Sequence, residues 1–176
     1  MSSSGDALRA LMIGPPVVRL AVAESITCGH VQARIGAISG ASQFFLGGLT
    51  AYTLEQKVQL LGVERSEAAA VNAVSERVAQ QMARGAIRLF GSDIGIAITG
   101  YAELPVGSGA SAPFAWWAVS HQHSTGVPRE ISGRFEAAAS CSRTAVQAQF
   151  ATALLNELES HLREWRNRPA PPASGG

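Results

Sequence analysis

Charge is scarce in this chain. Only 15% of its 176 residues are Asp, Glu, Lys or Arg, and they sum to +1. The arginines are scattered and form no basic block, which argues against nucleic acid or an anionic membrane as a partner. Cysteine is scarcer still. The 2 cysteines, Cys28 and Cys141, lie too far apart for a metal knuckle or a disulfide framework. Long apolar runs are missing too, since none approaches the roughly 18–20 residues of a membrane span. The opening "MSSSGDALRALMIGPP" has neither the basic n-region nor the apolar h-region of a leader. These absences predict a cytoplasmic protein without membrane, nucleic-acid or metal partners.

What is present suggests one domain. Residues 1–16 are expected to be a flexible N-terminal segment, because Gly14-Pro15-Pro16 ends any short helix begun by "DALRALM". The tail from Arg166 to Gly176, "RNRPAPPASGG", has the composition of a disordered segment. Between them, residues 17–165 read as the folded unit. Val17 to Ala23 is a nearly continuous apolar run, as in a strand covered on both faces. Residues 29–38 suggest a short helix with Val31, Ile35 and Ile38 on one face. "FFLGGLTAY" reads as a strand whose Gly-Gly predicts a bulge or close backbone approach.

Ser75 and Gly91 bracket a helix with a Val78, Met82, Ala86, Leu89 and Phe90 stripe. "DIGIAITG" is another buried strand. "FAWWAVS" and "REISGRFEA" form a hairpin across "HQHSTGVP", and Trp116 and Trp117 place one ring on each face. Val146, Phe150, Leu154, Leu158 and Leu162 mark a long final helix. The expected fold is an α/β single-domain layered sandwich, its mixed sheet mostly parallel, with helices on both faces.

Ligands gather at the carboxyl ends of strands in open α/β sheets. Three such ends are Ala23-Glu24-Ser25, Ala51-Tyr52-Thr53 and Ile98-Thr99-Gly100. Thr27-Cys28-Gly29 opens a helix whose N–H groups could hold an anion or an oxyanion. Lys57, one turn past the second strand, could serve Ser25 as a base if burial lowers its pKa. Read from pattern alone, Ser25 is either that nucleophile or a helix cap. His121 and His123 read as polar-loop residues and His161 as an exposed helix residue. His30, beside the interesting loop, lacks an evident carboxylate partner.

Four segments, "LAVAESITCG", "FFLGGLTAYTLEQKVQLLGV", "AVSERVA" and "IAITGYA", resemble in order and spacing the CinA C-terminal domain family. That family includes nicotinamide-nucleotide amidohydrolases, which convert nicotinamide mononucleotide to nicotinate mononucleotide and ammonia. The resemblance runs from about Leu20 to Leu158. It implies that Ser25 is the nucleophile and that Tyr52 and Lys57 activate it. It also implies that Thr99 and Gly100 border the pocket and that Arg143 contacts the nucleotide phosphate. The implied reaction needs no cofactor, and its partner would be a small nucleotide amide. A homo-oligomer is left open.

The chain departs from the family pattern around this trio. Cys28 stands at a glycine of the C-T-G-G loop, and Leu54 replaces an asparagine. Glu103-Leu104-Pro105-Val106 replaces a glycine-rich turn, and Ser111-Ala112-Pro113-Phe114 replaces K-P-V-G. Ala137-Ala138-Ala139 replaces the G-D-R that would give Arg143 a companion arginine. The expected function is serine-type carboxamide hydrolysis with diverged substrate loops. The alternative is an inactive paralogue that binds a ligand or a protein on the old scaffold.

Overall fold

The computed structural model describes residues 4–104, 110–122 and 129–168. Five strands form one sheet: β1 Leu20–Glu24, β2 Phe45–Thr50, β3 Ile94–Tyr101, β4 Phe114–His121 and β5 Arg129–Glu136. Their order is β2-β1-β3-β4-β5. β1 runs parallel to β2 and β3, whereas β3–β4 and β4–β5 are antiparallel. The sheet is therefore evenly mixed, not mostly parallel as expected. An apolar run reports burial on both faces and carries no information about a neighbour's direction. The two strands read as continuous apolar runs, β1 and β3, are internal, and every residue of β1 is buried. Val17, placed in that strand by the sequence, is 52% exposed and precedes it.

The two faces of the sheet are packed differently. One carries large residues, with Leu20, Val22, Ile94, Ile96 and Ile98 against Val31, Phe150, Leu154 and Leu158. These come from α2 (His30–Gly36) and α6 (Arg143–Arg166). The other face is built from alanines, with Ala21, Ala23, Ala97 and Ala118 against Ala79, Ala83 and Ala86 of α5 (Glu76–Phe90). Small side chains let α5 lie close to the strands. A Cβ on Gly95 would stand 2.1 Å from the Ala83 carbonyl oxygen. On the same side, a Cβ on Gly85 would meet the Leu61 carbonyl oxygen at 2.3 Å. Leu61 ends α3 (Leu54–Leu61), the helix that carries Lys57, so Gly85 sets how closely α5 supports it.

Several local expectations hold. Ser75 caps α5 by accepting from the Val78 N–H, and Gly91 closes the helix in the left-handed region. The Gly-Gly stretch produces a bulge, where Leu20 pairs with Phe45 and Ala21 with Gly47. Trp117 packs into the large-residue core and Trp116 against the alanine face. The hairpin connection, residues 123–128 with His123, lies outside the described residues. Others are corrected. Leu89, placed in the buried stripe, is 50% exposed, because it falls one position off the packed face. His121 and His161 are buried, not surface residues, and stand Nδ1 to Nε2 at 3.1 Å beside Trp165.

The N-terminal segment is also more ordered than its prolines suggested. Residues Ser4–Ile13 form α1, and Leu8 and Met12 are buried in the large-residue core. Arg166 at the end of α6 fastens it, donating to the carbonyls of Leu11, Gly14, Pro15 and Pro16. Residues 169–176 of the expected disordered tail lie outside the described residues. Among the described residues, no helix is long and apolar enough to cross a membrane.

Candidate active site

Ser25 follows directly on β1, where the strand ends against a loop. Glu24, immediately before it, is completely buried and turns its carboxylate back onto that loop. One oxygen accepts from the Thr27 hydroxyl at 2.6 Å, the Gly29 N–H at 2.9 Å and the Val31 N–H at 3.1 Å. The other accepts from the Gln32 N–H at 2.9 Å. The N-terminus of α2 is thus satisfied by a carboxylate from the chain itself.

Two of the N–H groups expected to meet an anion are therefore already paired. The Gly29 N–H is occupied by Glu24, and the Cys28 N–H donates to the Ser25 carbonyl. Thr27 is fully buried with its hydroxyl on Glu24, and Cys28 is exposed. Cys28 sits at φ 49° and Gly29 at φ 98°, so the cysteine holds a left-handed conformation that glycine would adopt without strain. None of these three is among the residues lining the cavity at Ser25.

Glu24 yields a stability test. Replacing it with Ala leaves several buried donors unpaired, each costing about 1–3 kcal/mol. Urea unfolding of Glu24→Ala should show a loss of at least about 3 kcal/mol. Glu24→Gln keeps an oxygen for the three clustered donors and sacrifices only the one to Gln32. Its loss should be smaller, about 1–3 kcal/mol.

A cavity of about 480 Å³ opens above Ser25, with Lys57, Tyr52, Thr99, Gly100 and Arg143 in its walls. Thr53 caps α3 by accepting from the Gln56 N–H, which fixes the turn that brings Lys57 inward. Lys57 is 2% exposed, and its Nζ lies 3.0 Å from Ser25 Oγ and 3.4 Å from the Tyr52 carbonyl oxygen. Both partners are neutral. Burial without a compensating charge lowers the Lys57 pKa from 10.5 to about 8.

The remaining expected residues take different positions. The Tyr52 side chain is 53% exposed, and its hydroxyl accepts from Arg143 at 2.7 Å. It is the Tyr52 carbonyl, not the phenol, that meets Lys57. Arg143 opens α6 and also donates to Glu103 at 3.0 Å. The hydrogen bond to Glu103, followed by Tyr52, holds the guanidinium above its ordinary pKa. The Thr99 hydroxyl donates to the Ala73 carbonyl at 2.9 Å and braces the opposite wall.

That wall was not legible beforehand. Asn72 and Ala73, at φ 48° and 57°, line the cavity in left-handed conformations. Asn72 also donates to the Tyr101 hydroxyl at 2.8 Å. Asparagine tolerates this backbone region but alanine disfavours it, and "VNAV" carries no glycine to announce the turn. Among the described residues, no group of three His, Cys, Asp or Glu could hold a metal ion.

Comparison with known proteins agrees with the architecture and with the motifs around Ser25. The CinA C-terminal domain family matches residues 15–162. A CinA-like protein of Chlorobium limicola is 35% identical over 155 residues, 87% of this chain and 35% of the relative. A CinA-like protein of Picosynechococcus is 54% identical over 83 residues, 47% of this chain and 20% of the relative. The chain thus spans about a third or less of the length of these curated relatives. Solved structures match it over nearly their whole length. The competence damage-inducible protein A of Klebsiella pneumoniae has a TM-score of 0.81 at 28% identity, covering 93% of this chain and 99% of that one. A CinA superfamily protein from Enterobacter cloacae gives 0.81 at 26% identity, covering 90% of each chain. A family match that takes in residues 15–162, together with solved family structures that share the fold, places the chain in the CinA C-terminal domain family.

Proposed function

We propose that this domain is a serine amidohydrolase acting on a small carboxamide, with nicotinamide mononucleotide as the reference substrate. The observation that carries the reading is the buried Lys57 amine, 3.0 Å from Ser25 Oγ and with its pKa lowered to about 8. A neutral amine so placed can accept the serine proton while Oγ attacks the carboxamide carbon. The tetrahedral adduct then collapses as the C–N bond breaks, and Lys57 returns the proton to the departing nitrogen as ammonia. Water, deprotonated by the same amine, cleaves the acyl ester. The products are a carboxylate and free Ser25.

The alternative is a binding module that has kept the scaffold and lost turnover. It is favoured by the Glu103 carboxylate on Arg143, the residue expected to grip phosphate. Ammonia release decides between them. The reading predicts release from the mononucleotide or from the matching nucleoside, with an acyl-enzyme on Ser25 detectable by mass spectrometry. Binding of these amides without any ammonia would establish the module instead.

A further inference from the structure

The mouth of the cavity holds a charge pair that bears on substrate class, an inference that rests on the amidohydrolase reading above. Four charged side chains line the cavity: Glu55, Lys57, Glu103 and Arg143. Lys57 is committed to Ser25, and Glu55 faces Arg65 at 3.4 Å near the surface. Arg143 is the cation positioned to meet a distal anionic group, and both of its terminal nitrogens are occupied. One donates to Glu103 at 3.0 Å and the other to the Tyr52 hydroxyl at 2.7 Å.

A phosphate seeking the two-pronged grip that guanidinium offers must first displace Glu103. It then meets that carboxylate's charge at close range. Among the described residues Arg143 is the one arginine lining the cavity, and position 139 is alanine. Ala139 borders a neighbouring cavity of about 250 Å³ that shares Ala102 and Glu103 with the first. Among the described residues, the region beyond Arg143 therefore offers a carboxylate and apolar surface where a phosphate would need donors.

We propose that Glu103 is a specificity-determining residue. By neutralising Arg143 it selects carboxamides whose distal end is uncharged or cationic, such as a nucleoside, over their phosphorylated forms.

The test compares nicotinamide mononucleotide with the nucleoside lacking its phosphate, in wild type, Glu103→Gln and the Glu103→Gln/Arg143→Gln double variant. Calorimetry gives Kd for each, and ammonia release gives kcat/KM. Wild type should bind the nucleoside at least about tenfold more tightly than the mononucleotide. Glu103→Gln frees the guanidinium and should shift that ratio toward the mononucleotide by about tenfold or more. The shift should shrink in high salt, because the pair is solvent-exposed, and vanish in the double variant. Tighter mononucleotide binding by wild type overturns the proposal, as does a ratio that Glu103→Gln leaves unchanged. Binding of neither compound by any of the proteins also overturns it. A Kd ratio that shifts as stated while no protein releases ammonia supports charge selection and removes only the hydrolase reading. Ammonia release from both at a ratio indifferent to Glu103 does the opposite.

Discussion

Ser25→Ala should abolish ammonia release while leaving the fold intact. The loss expected for deleting an attacking hydroxyl is on the order of 10⁴-fold or more, because what remains is binding without a nucleophile. The substitution removes one oxygen from a strand end and leaves Lys57 its carbonyl contact with Tyr52. Stability should therefore move by no more than about 1 kcal/mol. A substrate-binding constant close to that of wild type would place the defect in the chemical step. If the variant keeps more than about a tenth of wild-type turnover, Ser25 is not the nucleophile and water must attack directly.

Lys57→Met should lose activity and gain stability, a combination that an ordinary core substitution does not produce. Removing a general base typically lowers turnover by about 10²–10⁴-fold. The stability gain follows from the direction of the pKa shift. The folded chain releases the Lys57 proton at about 8 and the unfolded chain at 10.5. Below pH 8 both states carry the proton, and the native state bears the full cost of burying an ammonium. Between 8 and 10.5 the unfolded state binds more protons, so wild-type stability rises with pH across that window. Methionine fills a similar volume without the charge.

Near pH 7 the variant should be more stable by up to about 3 kcal/mol. Its advantage should fade above pH 8 and disappear by about 10.5. The neighbouring Tyr52, Glu55, Glu103 and Arg143 are present in both proteins, so the difference between them isolates Lys57. Wild-type kcat/KM should rise through a midpoint of about 8 as the amine of the free protein becomes neutral. A flat profile between pH 6 and 9, or a destabilised Lys57→Met, would remove the amine from the mechanism.

The sequence carried the strands, the long helices and the serine–lysine encounter for identifiable reasons. Helices α5 and α6 have strong i,i+4 patterns, and α5 has a serine at one end and a glycine at the other. Ser25 and Lys57 lie 32 positions apart, yet each belongs to a short motif tied to a strand end, so parallel pairing of β1 with β2 brings them together. What stayed hidden depends on the third dimension. The antiparallel pairing of β4 with β5 follows from the expected hairpin, but the direction of β4 against β3 is not encoded in apolar runs. Glu24 reads in the sequence only as part of a strand end, although it is the internal anion that satisfies α2. Asn72 and Ala73 reach the cavity through an irregular turn with no periodic signature. His121 and His161 fell among residues that composition assigns to the surface, and only packing of α6 on β4 buries them. The pairing of Arg143 with Glu103 joins residues 40 positions apart across a rewritten loop, so the family resemblance pointed to the arginine without its new neighbour.

Helix α6 gives the molecule a front and a back. Its 24 residues span roughly 36 Å. Arg143 at one end faces the cavity, while Arg166 at the other holds carbonyls in the last turn of α1 and just beyond it. The C-terminal end of α1 and the end of α6 are therefore gathered at one pole, and the reacting groups lie at the other. A bead, a sensor surface or an affinity handle coupled beside Arg166 attaches to the end of α6 remote from Arg143 and leaves the cavity open to solution.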